Sequence, residues 1–250
     1  MSFGRTFPVA TWFWRRLWSR RALRLYLWGL AIIVISGIAL RVEGALFEMR
    51  ALSLVSALSS LQVGTSSKAE ALSRIPSLRA DGTGPYGAPR CDADECVSAG
   101  IPNSSLSDAV FLRVARMGNR TLYSVLSWWG FRFWVLSVYV NFSSGKVSYL
   151  SYHLVVSSPH LGDAGVVVVE VQSKEHISES NPSLSAAADP GYRVSTSRKQ
   201  PAQSVGIVLT PATRREFVSH AFDLKLRCLW SLAGCRTWNQ LLPAAEGLSR

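Results

Sequence analysis

Four cysteines fall in two close pairs, Cys91 with Cys96 and Cys228 with Cys235, and sulfur at these spacings has two chemistries open to it. In an exported chain an even count points to disulfides, and local pairing suits both pairs. The DADE loop between Cys91 and Cys96 can fold as a hairpin turn, and Gly234 lets the chain double back to bring Cys235 to Cys228. Zinc is the rival, but its sites favour spacings of about two to four residues, and six with no histidine nearby make a poor ligand set. Asp92, Asp94 and Glu95 in the first cysteine loop offer oxygens to calcium without EF-hand spacing, and read as a solvated acidic turn. Of the four histidines, His153, His160, His176 and His220, the first two join Asp163 on paper as a two-histidine, one-carboxylate site. The plainer reading is polar residues near a sheet edge. Gly82, Gly84 and Gly87 spell G-x-G-x-x-G, but no apolar strand precedes them and Pro85 and Pro89 sit where a helix should open. No G-x-S-x-G elbow, P-loop or H-E-x-x-H occurs. Sequons at Asn103, Asn119 and Asn141 would matter only in a eukaryotic secretory setting. The sequence therefore assigns no catalytic residue, no metal site and no cofactor.

The elements that would position these residues begin with the charge. The 250-residue chain carries 27 Lys+Arg against 16 Asp+Glu, a formal net charge of +11, which on its own suggests a nucleic-acid partner. Its location argues otherwise: Arg5, Arg15, Arg16, Arg20, Arg21 and Arg24 lie in the first 24 residues with no acid among them, leaving an ordinary remainder. Sixteen uncharged residues, LYLWGLAIIVISGIAL, then separate Arg24 from Arg41. As a helix they cover about 24 Å of a hydrocarbon core of roughly 30 Å, so Ala22, Leu23 and Val42 must extend the span while Arg24 and Arg41 snorkel. Leu25, Trp28, Ile32, Ile33, Val34, Ile35, Ile38 and Leu40 form the expected lipid anchor. The positive-inside rule assigns 1–24 to the cytoplasm, 25–42 to a transmembrane signal anchor and 43–250 to the exported side, with Arg15, Arg16, Arg20, Arg21 and Arg24 setting the topology. Trp12, Phe13, Trp14, Trp18 and Trp28 interleave the arginines as an aromatic belt. A cleaved secretory signal competes, with Gly37 and Ala39 at positions −3 and −1 of the cut. The expected location is the inner (cytoplasmic) membrane with a periplasmic or extracellular domain. The expected partners are the lipid bilayer and envelope proteins, not nucleic acid.

Beyond the span, Leu46, Met49, Leu52, Val55, Leu58 and Leu61 recur every three residues and predict a helix with one broad apolar face, ended by Gly64. Ser67 and Glu70 read as a capping box opening a short second helix before Pro76. The string LQVGTSSKAEALSRI, residues 61–75, resembles the helix-pair turn of bacterial envelope proteins of the SmpA/OmlA type, lipoproteins of the outer-membrane barrel-assembly machinery. The resemblance implies two helices packed on a small antiparallel sheet; the family's lipidated cysteine has no counterpart here, and an anchor replaces it. Residues 106–128 read as two short helices broken near Gly118-Asn119. FRFWVLSVYVNF and VSYLSYHLVV flank SSGK as a β-hairpin, and GVVVVEVQ and SVGIVLT add two strands. Residues 177–203 read as a flexible loop or insertion, with a strand at Tyr192–Thr196 at most. Thr210 and Pro211 are expected to open a five-turn C-terminal helix marked by Phe217, Val218, Ala221, Phe222, Leu224, Cys228 and Leu229.

The fold expected is α+β: an N-terminal transmembrane helix, a helix pair on an antiparallel sheet, and a C-terminal helix. At 48% hydrophobic and 17% charged the chain is no disordered, collagenous or coiled-coil protein. The leading function is an anchored structural or interaction module, with Trp128, Trp129 and Trp134 beside the apolar hairpin as its contact surface. An anchored hydrolase or metal-dependent enzyme using His153, His160 and Asp163, and a sensor with 177–203 as a lid, are the alternatives.

Overall fold

The computed structural model describes residues 20–79, 96–102, 109–110, 113–114, 119–157, 166–175, 185–186, 192–197 and 202–243. Its first element, α1 (Arg20–Ser59), is one unbroken helix of 40 residues, about 60 Å long. It runs through the apolar segment, past Arg41 and across Gly44, so the apolar segment and the first domain helix are the same rod. The face turned to the domain is Gly37, Leu40, Gly44, Phe47, Ala51, Leu54 and Leu58. These residues alternate steps of three and four and stay on one stripe. The expected series does not form the buried face: Leu46 and Met49 are exposed and Leu52 is half-buried, while Val55, Leu58 and Leu61 are buried. A strict three-residue step turns back about 60° each time, so a run of six residues circles most of the helix. The helix also stops at Ser59 rather than at Gly64, which instead takes φ +84 in the turn that follows.

That turn docks on the sheet. Gly64 donates to Val147 O, Val147 to Ser66 O, and Lys68 to Gly145 O, so residues 64–68 bracket the hairpin turn. Ser67 caps α2 (Lys68–Arg74) by accepting from the Glu70 amide at 3.1 Å, as expected, while the Glu70 carboxylate pairs with Arg74. α2 buries Ala71, with Ile75 behind it.

The sheet has seven strands, β1 (Cys96–Ile101), β2 (Trp134–Ser143), β3 (Lys146–Ser157), β4 (Val166–Lys174), β5 (Ser185–Ala186), β6 (Tyr192–Ser197) and β7 (Ala202–Leu209), in the order β1-β2-β3-β4-β7-β6-β5. The predicted hairpin is β2–β3, closed by Ser144 and Gly145, both at positive φ as a tight two-residue hairpin turn requires. The expected all-antiparallel sheet is corrected to a mixed one, because β4 and β7 pair in parallel. The chain between them folds back as β5 and β6 against β7, so residues 185–186 and 192–197 widen the sheet edge rather than covering its face. One face is apolar throughout: Leu136, Val138, Leu150, Leu154, Val169, Val171, Val205 and Ile207 join Phe47, Ala51, Val55 and Leu58 of α1 in a single core. Phe47 meets Trp134 at 5.4 Å between ring centroids.

The C-terminal part departs from expectation. Thr210 and Pro211 do not start the helix; the Thr210 amide donates to Thr213 Oγ1 in a turn, and α4 (Arg215–Phe222) begins after Arg214. The helix lasts two turns, not five. Leu224 and Leu226, two residues apart, are both buried, which one face of a helix does not allow, and the Lys225 amide donates to Leu241 O. A 3-10 turn (Arg227–Leu229) and α5 (Trp238–Leu241) close the described chain. Of the two helices expected over 106–128, α3 (Arg120–Trp129) is described, capped by Asn119 accepting from the Leu122 amide. The Gly82–Gly87 string and the acidic turn at 92–95 lie outside the described residues.

Candidate functional site

The chemistry-bearing residues separate into three places. At the first, Cys228 and Cys235 form the expected disulfide, with Cα atoms 4.9 Å apart and Gly234 at φ +68 in the return. Cys96 is disulfide-bonded too, while Cys91 lies outside the described residues. Inside the Cys228 loop sits a residue that sequence reading passed over. Arg132, 2% exposed, donates from Nε to Ser127 O at 3.1 Å, from Nη1 to Cys228 O and Leu229 O at 2.8 Å each, and from Nη2 to Leu232 O at 3.1 Å. Burial, with Arg41 nearby, pushes its pKa down to about 10, so it remains a cation at neutral pH. The only sequence signal was a charge inside an aromatic strand pattern, at Phe131-Arg132-Phe133, where a buried arginine must find acceptors.

The second place is the junction of α1 and α3. Trp129 Nε1 donates to Ile33 O at 3.1 Å, and its indole lies where Gly37 leaves room: a Cβ there would stand 3.0 Å from Trp129 Nε1. Gly130, at φ +122, brings its Cα against Leu40. Arg41 donates to Gly37 O and to Trp128 O at 3.1 Å. One helical turn further on, Gly44 makes room for Trp230, whose Nε1 donates to Glu48. The seven-residue spacing of Gly37 and Gly44 was the readable signal: two small residues on one stripe of a helix mark close approach.

Trp128, Trp129 and Trp134 are therefore not one surface. Trp134 is core at 1% exposure, Trp129 is half-buried on α1, and Trp128 stands 61% exposed. Of the expected anchor residues, Leu25, Trp28, Ile32, Ile33, Val34, Ile35 and Ile38 are exposed, whereas Leu40 is buried against Gly130 and faces the domain. Only 11% of the most apolar window of α1 is buried against the rest of the chain, and this helix is long and apolar enough to cross a membrane. Arg15 and Arg16 lie outside the described residues; Arg20 and Arg21 open α1, and Arg24 is exposed on it.

The third place is the sheet face away from the core. Cross-strand register sets Ser137 beside His153 and His153 beside Glu170, with Gly206 and Ser195 next in the row. Burial lowers the His153 pKa, with the Glu170 carboxylate pulling it back up; Glu170 Oε1 itself accepts from Gln172 Nε2. His160 and Asp163 lie outside the described residues. A separate groove of about 1330 Å³ opens between α1 and α4, lined by Glu48, Ser56, Arg215, His220, Asp223 and Arg227 among others. No family model, curated protein or solved structure matches the chain.

Proposed function

We propose that the chain is a single-pass, N-in envelope protein of the inner membrane, whose α+β domain on the exported side is a non-enzymatic structural or interaction module. The observation that carries this is the double use of α1: one rod exposes apolar side chains over residues 23–38 and buries its Leu40–Leu58 stripe in the domain core. Exposed leucines, isoleucines and a tryptophan over more than four turns would cost tens of kcal/mol in water at about 1.5–3 kcal/mol per side chain. A bilayer removes that cost. Retention of the anchor is favoured over cleavage after Ala39, since the domain's Trp129 uses Ile33 and Gly37 upstream of that bond. The one-sided arginines orient it. The two disulfide-bonded regions suit an oxidising compartment. The likeness of residues 61–75 to the SmpA/OmlA-type turn agrees with an envelope setting.

The test is protease treatment of intact spheroplasts carrying a C-terminal tag, with mass spectrometry of the N-terminus. The expected result is an uncleaved, carbonate-resistant protein whose tag is digested from outside. A tag protected until the membrane is broken, or a mature chain starting at Leu40, would overturn the assignment.

A hydrolase reading has one observation in its favour, the Ser137–His153–Glu170 row, which has the residue types of an acyl-transfer triad. Ser137 is 4% exposed, which closes its Oγ to a substrate in this conformation, so the structural reading is preferred. Covalent labelling of Ser137 by a fluorophosphonate, abolished by His153→Ala, would reverse that preference.

A further inference from the structure

We propose that α3 is an interfacial helix lying in the exported leaflet of the same bilayer that α1 spans, with Leu122, Val125 and Trp128 in contact with lipid. This rests on the anchor reading above. Three observations converge on it.

The first is depth. Arg20, Arg21 and Arg24 set the cytoplasmic limit of the span, and about 30 Å of hydrocarbon measured upward from Ala22 at 1.5 Å per residue ends near residue 42. α3 is fastened to α1 at Ile33, Gly37, Leu40 and Arg41. Gly37 lies about 7 Å below residue 42, inside the roughly 5–10 Å to which interfacial amphipathic helices sink, and Ile33, which the Trp129 indole reaches down to, lies deeper still at about 13 Å. The domain cannot rise clear of that leaflet while the Trp129–Ile33 bond holds.

The second is composition. From Thr121 to Trp129 the helix carries no charged residue. It buries Tyr123 and Ser127 against the protein and exposes Leu122 at 37%, Val125 at 49% and Trp128 at 61%, one stripe at three-residue spacing. Over two steps that stripe turns only about 120°, so it remains a single face. Its neighbour Trp129 is held on α1 at Ile33, among the exposed apolar side chains of that helix, and Trp is enriched at membrane–water interfaces.

The third is backbone satisfaction. Unpaired carbonyls at a helix end are tolerated in water and are costly in lipid. Here Leu126 O and Ser127 O accept from Gly130, Leu126 O also from Phe131, Ser127 O also from Arg132, and Trp128 O from Arg41. Arg41 thus places its cation at the negative end of α3 while leaving the span. The indole N–H of Trp129 is spent on Ile33 O, which also accepts from Ser36 Oγ.

The experiment is site-directed nitroxide labelling of the full chain in phosphatidylethanolamine/phosphatidylglycerol nanodiscs under non-reducing conditions. Three variants are compared: Val125→Cys on α3, Ile32→Cys on the exposed face of α1, and Ser73→Cys on α2 beyond the far end of α1. Collisions with oxygen report lipid and those with a water-soluble nickel chelate report solvent. At residue 125 the oxygen-to-nickel ratio is expected within about a factor of two of that at residue 32, and well above that at residue 73. A lipid-like residue 32 with a solvent-like residue 125 overturns the proposal and leaves the anchor standing. Low collision with both reagents at residue 125 also overturns it, in favour of a protein covering the helix. A solvent-like residue 32 removes the anchor reading and this inference with it.

Discussion

Replacing Arg132 by methionine should unfold the domain far more readily than the loss of one surface-adjacent charge would suggest. Methionine follows the aliphatic stem and stops short of the guanidinium, so the perturbation removes the cation and the packing of its fork against Gly234 while keeping the stem. Arg132 serves four carbonyls, two of which keep another donor: Cys228 O has Ser231 Oγ, and Ser127 O has the Gly130 amide. Among the described residues, Leu229 O and Leu232 O would be left unpaired. Two orphaned acceptors at about 1–3 kcal/mol each give a cost of roughly 4 kcal/mol. Removing the cation also relieves its repulsion with Arg41, which offsets the cost of the space the guanidinium vacates. For a domain of this size the midpoint should fall by about 8–16 °C. Arg132→Lys keeps the charge but presents no fork, reaches fewer of the carbonyls, and should cost about half as much. The assay is thermal unfolding of the full chain in nanodiscs with disulfides intact, followed by near-ultraviolet circular dichroism. A methionine variant within about 1 kcal/mol of the parent would refute the idea that this arginine organises the 228–235 loop.

The Cys228→Ser, Cys235→Ser pair opens a loop of eight residues and should cost about 2–3 kcal/mol on the chain-entropy account. Combined with Arg132→Met the losses should fall short of additive in a double-mutant cycle, because both act on the same loop; simple additivity would separate them. Gly37→Leu should destabilise by about 1–3 kcal/mol by driving the Trp129 indole off α1. Gly29→Leu, where a Cβ meets open space, serves as the matched control and should be silent in the same melts. His153 has a folded pKa held below its ordinary value by burial. Its neutral form therefore stabilises the fold fully above about pH 6.5, and that contribution is lost as pH falls through the lowered folded value. His153→Gln should flatten the fall in melting temperature between about pH 7 and pH 5. A slope identical to that of the parent would count against it.

What could be read in the sequence was what local patterns dictate. The β2–β3 hairpin, the Ser67 cap, the Cys228–Cys235 closure and the apolar helix each depend on neighbours within a dozen residues. The misreadings have long-range causes. Counting every third residue after Leu46 picked out a spiral, whereas Gly37, Leu40, Gly44, Phe47 and Ala51 kept the stripe; two of those five are glycines, which a search for large apolar residues skips. The predicted C-terminal helix runs too long because Phe217, Ala221, Leu224 and Cys228 keep a helical count, yet the chain leaves the helix at Asp223 and the Lys225 amide bonds Leu241 O, distant in sequence. Trp134 was assigned to a surface because nothing in a strand's alternation says which face meets Phe47. The parallel pairing of β4 and β7 was hidden for the same reason: direction is decided by what lies between strands, and that segment looked like a loop.

Continuity of α1 has a mechanical consequence. On the anchor reading, a flexible hinge at Gly44 would let the domain tilt freely over the bilayer, and glycine inside a helix costs about 1 kcal/mol relative to alanine, which makes Gly44 a weak point of the rod by propensity. The helix does not break there, because the glycine is used for packing: Trp230 closes over it and bonds Glu48 one turn on. With Trp129 and Arg41 gripping the turns below, the apolar segment of α1 and the domain are joined by side-chain contacts on either side of Val42, and on the anchor reading the domain's orientation to the bilayer would follow from the tilt of α1. A partner in the envelope would then meet the same face of the domain at the same height every time. Inserting residues after Val42 tests this: one added residue rotates the domain by about 100° about α1 and breaks either the Gly37–Trp129 or the Gly44–Trp230 contact. Seven added residues restore the stripe but lift the Gly44 contacts about 10 Å from those of Gly37. Both insertions should lower the melting temperature, the first through misrotation and the second through separation. An insertion that left it unchanged would mean that the two glycine contacts are not acting together.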